Sequence, residues 1–199
     1  MAMNFKVFND VDQVAQFTAD IIRKQFNNNP TTIAGLHLDR ETAPVLDELK
    51  KDVDRNPVDF SQINILDYDE NRSYYEALGV PSSQIYPIDL DDDAASLIDD
   101  KIKTKENKGK LILQVTSIDE KGSLNVNIRQ GLMKAREVVL VITGGHKREF
   151  VKKLYEENGK SNFEPADLKV HRMVTVVLDR AAAEGLPEDV KEYFTAHFA

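Results

Sequence analysis

Two segments, VVLVI (residues 138–142) and VTVVL (174–178), leave almost no polar side chain to face water. A strand with one solvated face alternates apolar with polar residues; a run without that alternation belongs in a sheet covered on both faces. Such sheets are mainly parallel, because parallel neighbours are joined by crossovers and the crossovers are helices that lie on the faces. The rest of the chain therefore has to supply helices between strands.

It does so in order. Asp10 precedes VDQVAQFTADIIRKQF, in which Val14, Phe17, Ile21 and Phe26 recur at near-helical spacing, so a capped amphipathic helix is expected. After the polar connector NNNP comes the short apolar strand in TTIAGLHL, then APVLDELKKDV, with Pro44 in a first helical turn where its missing N–H costs nothing. The alternation continues as INILDY (strand), SYYEAL (helix), QIYPID (strand), DAASLIDDKIKTK (helix), KLILQVTSI (strand) and QGLMKA (helix). EVVLVIT (strand), HKREFVKKLYEEN (helix), MVTVVL (strand) and a helical tail through PEDVKEYFTAHF complete it. No linker divides the 199 residues, so one domain is expected. In such a sheet ligands bind beyond the carboxyl ends of the strands.

Composition removes several functions. A net charge of −8 disfavours sequence-independent nucleic-acid binding, which needs a basic face. Zero cysteines exclude disulfides and thiol chemistry, and no histidine pair has metal-ligand spacing, so no metal and no cofactor are expected. No apolar run reaches a membrane span and the start lacks a signal-peptide pattern, which leads to the expectation of a cytoplasmic protein without membrane contact. The acidic run DLDDDAASLIDD lacks the glycine and terminal glutamate of a calcium loop and reads as a solvated helix start.

Four stretches remain at strand ends: LHLDRETAP (36–44), ILDYDENRSYY (65–75), VTSIDEKGSLNVN (115–127) and VITGGHK (141–147). In that order they resemble the glucosamine-6-phosphate deaminase and 6-phosphogluconolactonase family, from about Asn4 to about Leu186. The resemblance implies a three-layer α/β/α sandwich with a mainly parallel, Rossmann-like sheet. It also implies carbohydrate metabolism and a phosphorylated sugar or similar small anion as ligand, with a homo-oligomer left open.

Residue by residue, the resemblance puts LHLDRETAP on the family's phosphate loop, with Thr42 at a phosphate-binding hydroxyl and Arg40-Glu41 in place of a glycine pair. Either Arg40 holds the anion by its side chain, or it pairs with Asp39 or Glu41 in solvent. Asp69 falls on the family's general base with Glu70 beside it; both read equally as polar loop residues before SYYEAL. Gly144, Gly145 and Lys147 match a strand-end glycine turn and a phosphate-binding lysine. Gly122 and Asn127 match the ring-opening motif, but Lys121, Ser123 and Ile128 stand where the deaminases carry Asp, His and Glu. The lid segment that follows in the family is missing between NVNIRQ and GLMKA. The expected protein is thus a divergent family member with an anion seat between Lys147 and Thr42, Ser123 lining the pocket and its ring-opening machinery lost. The alternative is a non-catalytic sensor or a regulatory or structural subunit, whose surface Phe150, Tyr155 and the YFTAHF tail could form. His37, His146, His171 and His197 offer no metal pattern, though His37 and His146 lie at strand ends near the expected pocket.

Overall fold

A computed structural model describes residues 3–89, 92–157 and 162–195, and seven strands form one sheet in which every neighbouring pair is parallel. The strands are β1 (Met3–Phe8), β2 (Ile33–Leu36), β3 (Asn64–Asp67), β4 (Ile85–Pro87), β5 (Leu111–Ser117), β6 (Glu137–Ile142) and β7 (Val174–Asp179). Their order across the sheet is β1-β7-β6-β5-β2-β3-β4. The helices are α1 (Val11–Asn28), α2 (Pro44–Arg55), α3 (Arg72–Leu78), α4 (Ala94–Leu97), α5 (Val126–Leu132), α6 (Arg148–Glu156) and α7 (Glu188–Phe194).

The apolar strands are double-faced, as their sequence requires. In β6, Val138, Leu140 and Ile142 enter one hydrophobic cluster with Ile128, Val151 and Leu154. Val139 and Val141 enter the opposite cluster with Val14, Ile22 and Leu49. One change of a large residue to alanine in either cluster forfeits contacts on a face that nothing else can fill.

Several boundaries differ from the sequence reading. MNFKVF, not assigned above, is the edge strand β1 and pairs with β7; its alternating Phe5, Val7 and Lys6 carry a strand pattern too short to stand out. Asp10 caps α1 as expected, accepting from the Gln13 N–H at 2.9 Å. The fully buried stripe of α1 runs through Val14, Ala15, Thr18, Ile22 and Phe26, with Phe17 and Ile21 only partly buried at its margin. The helix expected over DAASLIDDKIKTK ends at Ile102, its second half wound as a π-turn over Ile98–Ile102. Phe150 stacks on Phe163, and Tyr155 and Phe194 pack against Phe5; Phe150 and Phe194 are partly buried against the core, whereas Tyr155 and, far more, Tyr193 are exposed. His197 and the end of the YFTAHF stretch lie outside the described residues.

The order reverses between β2 and β5: β3 and β4 extend from β2 on one side, β6, β7 and β1 from β5 on the other. At such a reversal the connections leave in opposite directions and open a crevice at the carboxyl ends of the strands. That crevice lies between the segment after β2, residues 37–43, and the end of β5.

Candidate functional site

The crevice is bridged from within. Ser117, the last residue of β5, donates its hydroxyl to Asp39 Oδ2 at 2.8 Å. The other oxygen, Oδ1, accepts the N–H groups of Glu41 (3.0 Å) and Thr42 (2.9 Å) and the Thr42 hydroxyl (2.8 Å). Backbone N–H groups at the start of a helix, with a threonine hydroxyl among them, are what an oxyanion needs. Here an aspartate one turn earlier supplies the oxyanion.

Lys147 completes the arrangement. It ends the single 3₁₀ turn Gly145–Lys147 after β6, is only 1% exposed, and sets Nζ at 2.6 Å from Glu41 Oε2 and 4.0 Å from Asp39 Oδ2. A buried ammonium requires a nearby anion, because desolvation of an unpaired charge costs several kcal/mol. Glu41 meets that need, and its second oxygen lies 3.1 Å from His146 Nε2. The turn relies on Gly144: its φ of 92° is in the left-handed region, and a Cβ there would come within 2.8 Å of the His146 ring. The Gly144 N–H is held by Asp179, at the end of β7, at 3.0 Å.

The residues expected to form an anion seat, Thr42, Lys147, Gly144 and Gly145, are therefore neighbours in space, but Asp39 and Glu41 occupy the seat. Arg40 is exposed and makes no hydrogen bond or ion pair among the described residues, so it is not paired with Asp39 or Glu41. The basic side chains facing Glu41 are Lys147 and the His146 imidazole.

Asp69 stands just past β3 with its carboxylate fully engaged: Oδ2 accepts the Leu38 N–H at 2.8 Å and Oδ1 lies 2.9 Å from His37 Nδ1. Asp67, absent from the sequence reading, lies beneath it, accepting the N–H groups of Asp69 and Asn71. Burial pushes the Asp67 carboxyl above its ordinary value despite those two hydrogen bonds. Glu70 is exposed with φ 57°, a left-handed geometry that turns the chain towards α3. Ser123 sits on a separate turn closed on Asp119, which accepts its N–H at 2.8 Å; among the described residues no hydrogen bond links it to the Lys147 cluster. Ile128 is wholly buried in the core, and the side chain of Asn127 lies outside the described residues. Residues 133–136 alone separate α5 from β6.

Ser117 and Asp179 were missed because a lone serine or aspartate closing an apolar strand carries no local signal. Their position at strand ends was the one available clue.

For Asp39, burial pushes the carboxyl up, but the hydrogen bonds from Ser117 and Thr42, with Lys147 nearby, hold it below its ordinary value of 3.8. A depressed carboxyl contributes stability that is present above its unfolded pKa and is lost as pH falls through the folded value. Asp39→Asn should therefore cost about 2 kcal/mol near pH 6, the scale of hydrogen bonds to a charged group. Denaturant titrations of the two proteins should converge as pH falls below the ordinary value of 3.8. A difference that stays constant across that range would contradict the assignment.

No family model matches the chain. Over 85 residues, 43% of the chain, it is 32% identical to glucosamine-6-phosphate deaminase 1 of Bacillus subtilis (strain 168), covering 34% of that protein. Over 71 residues, 35% of the chain, it is 31% identical to glucosamine-6-phosphate deaminase of Oceanobacillus iheyensis, covering 28% of it. The matched segments thus span about a third of these curated relatives. Among solved structures, a monomeric glucosamine-6-phosphate deaminase superposes with TM-score 0.77 at 17% identity, over 92% of this chain and 100% of that one. The 6-phosphogluconolactonase of Plasmodium vivax superposes with TM-score 0.66 at 13% identity, over 94% and 93% of the two chains. Identities this low establish architecture. The chain thus has the architecture of the glucosamine-6-phosphate deaminases and 6-phosphogluconolactonases and shares partial sequence similarity with glucosamine-6-phosphate deaminases, in keeping with the resemblance of its strand-end motifs.

Proposed function

We propose that the chain is a non-catalytic module of the sugar-phosphate isomerase and deaminase type, acting as a regulatory or structural subunit, with its phosphate seat closed by its own carboxylates. The observation that carries this reading is the 2.6 Å pair between Glu41 and the buried Lys147. An internal carboxylate competes at high effective concentration with any phosphate from solution. Asp69, the position of the family's base, is committed to Leu38 and His37, and Ser123, at the position of the ring-opening histidine, cannot titrate near neutrality.

A sensor of phosphorylated sugars is the second reading, favoured by one observation: the Glu41 and Thr42 N–H groups, the Thr42 hydroxyl and Lys147 still converge. A ligand able to displace Glu41 would find all of them. A cytoplasmic setting and carbohydrate metabolism accompany both readings. Of the membrane, the structure says only that no helix among the described residues is long and apolar enough to cross one.

Thermal unfolding with a panel of hexosamine, hexose and pentose phosphates, run beside assays for deamination and lactone hydrolysis, separates the outcomes. Ligand at a hundred times Kd stabilises by about 2.7 kcal/mol, a rise of roughly 5–10 °C for a chain of this length. The closed-seat reading expects no turnover and no rise beyond about 1 °C. A large rise without turnover selects the sensor; turnover abolished by Asp69→Asn overturns both.

A further inference from the structure

At the amino ends of β5, β6 and β7, opposite the crevice, lies a cavity of about 560 Å³. Lys110 reaches it from the residue before β5, Lys134 and Arg136 from the turn before β6, and Arg172 from the turn before β7. Its floor is apolar, made by the buried Ile98 and Leu111, with Gly131 at the end of α5 keeping one wall low. The one carboxylate on its lining, Asp99, is already paired with Lys103 at 3.3 Å. None of the four cations forms an ion pair among the described residues, whereas Lys24, Lys51 and Lys191 each pair within one helical turn. A second hollow of about 290 Å³ meets the first at Lys110, Ile112 and Arg136.

In a chain of net charge −8, four cations without an ion pair around one concavity are not expected from composition. Asp93 attracts Lys134 at a distance and Asp99 lies on the lining, but neither pairs with any of the four, so a bound anion would relieve their mutual repulsion further. Low-dielectric walls focus the field of such a cluster and raise the local concentration of anions. Two arginines add planar donors suited to phosphate oxygens, and the volume falls in the range of small-molecule sites.

We propose that this cavity is a binding site for a small organic di- or triphosphate, its phosphates on Lys134, Arg136, Arg172 and Lys110 and its carbon body on Ile98 and Leu111. The site is independent of the crevice, which lies at the other end of every strand.

The probe is adenosine triphosphate without divalent metal, with inorganic pyrophosphate beside it, each titrated by calorimetry at two salt concentrations. Amide resonances of Gly109 and Gly131 report the location. Binding of the nucleotide, weakened by salt, is expected to move both resonances and to fall about tenfold or more in Lys134→Gln/Arg172→Gln, since each lost contact is charge-assisted. The control Lys121→Gln, an exposed cation on another turn, should bind as the parent does. Lys121, Lys134 and Arg172 are all exposed, and matching circular dichroism verifies that the double variant folds. Absence of nucleotide binding at millimolar concentration, or equal affinity in the double variant, overturns the site. Pyrophosphate binding as tightly as the nucleotide overturns the apolar part of the assignment.

Discussion

Replacing Glu41 by alanine should turn a protein indifferent to phosphate into one that responds to it. Lys147 is held by Glu41 at 2.6 Å and has Asp39 only at 4.0 Å. Without Glu41, an almost fully buried ammonium keeps one distant partner. Breaking a buried pair costs about 3–5 kcal/mol when the survivor stays unpaired. Because the Glu41 side chain is 36% exposed, solvent screens part of its interaction, and a loss of about 2–3 kcal/mol is expected. In chloride buffer the variant should unfold roughly 5–10 °C below the parent. Inorganic phosphate can then enter the vacated place, facing Lys147 and the Thr42 region, and recover most of the deficit while leaving the parent unmoved. Glu41→Gln, which keeps the shape without the charge, should be destabilised without gaining the same response. If Glu41→Ala is as stable as the parent and equally deaf to phosphate, Lys147 is not held in the way described, and the closed-seat reading fails with it.

The opening feature of the chain carried much of the architecture. Strands such as VVLVI announce a two-sided burial that few folds satisfy, and the helices between them follow from connectivity. The convergence of Thr42, Gly144 and Lys147 was legible in outline for the same reason: they are fixed to strand ends, and strand ends at a reversal of order converge. What the sequence did not disclose was the state of the seat. Asp39-Arg40-Glu41 shows that charge replaces glycine, but not that Asp39 folds back onto the N–H groups two and three residues ahead, or that Glu41 takes Lys147 while Arg40 faces solvent. Those choices depend on side-chain directions across a gap between β2, β5 and β6, and no local spacing encodes them. The basic cavity was hidden for a related cause, since its four cations come from three separate strand beginnings.

Gly35→Ala should be the most damaging small substitution in the sheet that carries the site. Gly35 lies in β2 beside β5, paired with Gln114, whose wholly buried side chain crosses the strand and donates its amide to the carbonyls of Gly35 and Val115 at 3.1 Å each. A Cβ on residue 35 would sit 2.0 Å from Gln114 Oε1, well inside contact distance. Backbone on both sides is locked in the parallel ladder, so the glutamine has to leave its rotamer. That breaks two buried hydrogen bonds and forces a misfit in a packed core, together about 3–4 kcal/mol. The double variant Gly35→Ala/Gln114→Ala tests the cause. Gln114→Ala alone opens a hole and leaves the two carbonyls short of a donor, at about 2–3 kcal/mol. Once the glutamine is gone the added methyl has space, so the second change should cost little, and the cycle should show a coupling of about 2 kcal/mol or more. Simple additivity would mean that the glycine serves another purpose. Because β2 leads directly into His37, Leu38 and Asp39, the same variant should also loosen the carboxylate bridge to Ser117, seen as faster amide exchange at Glu41 and Thr42.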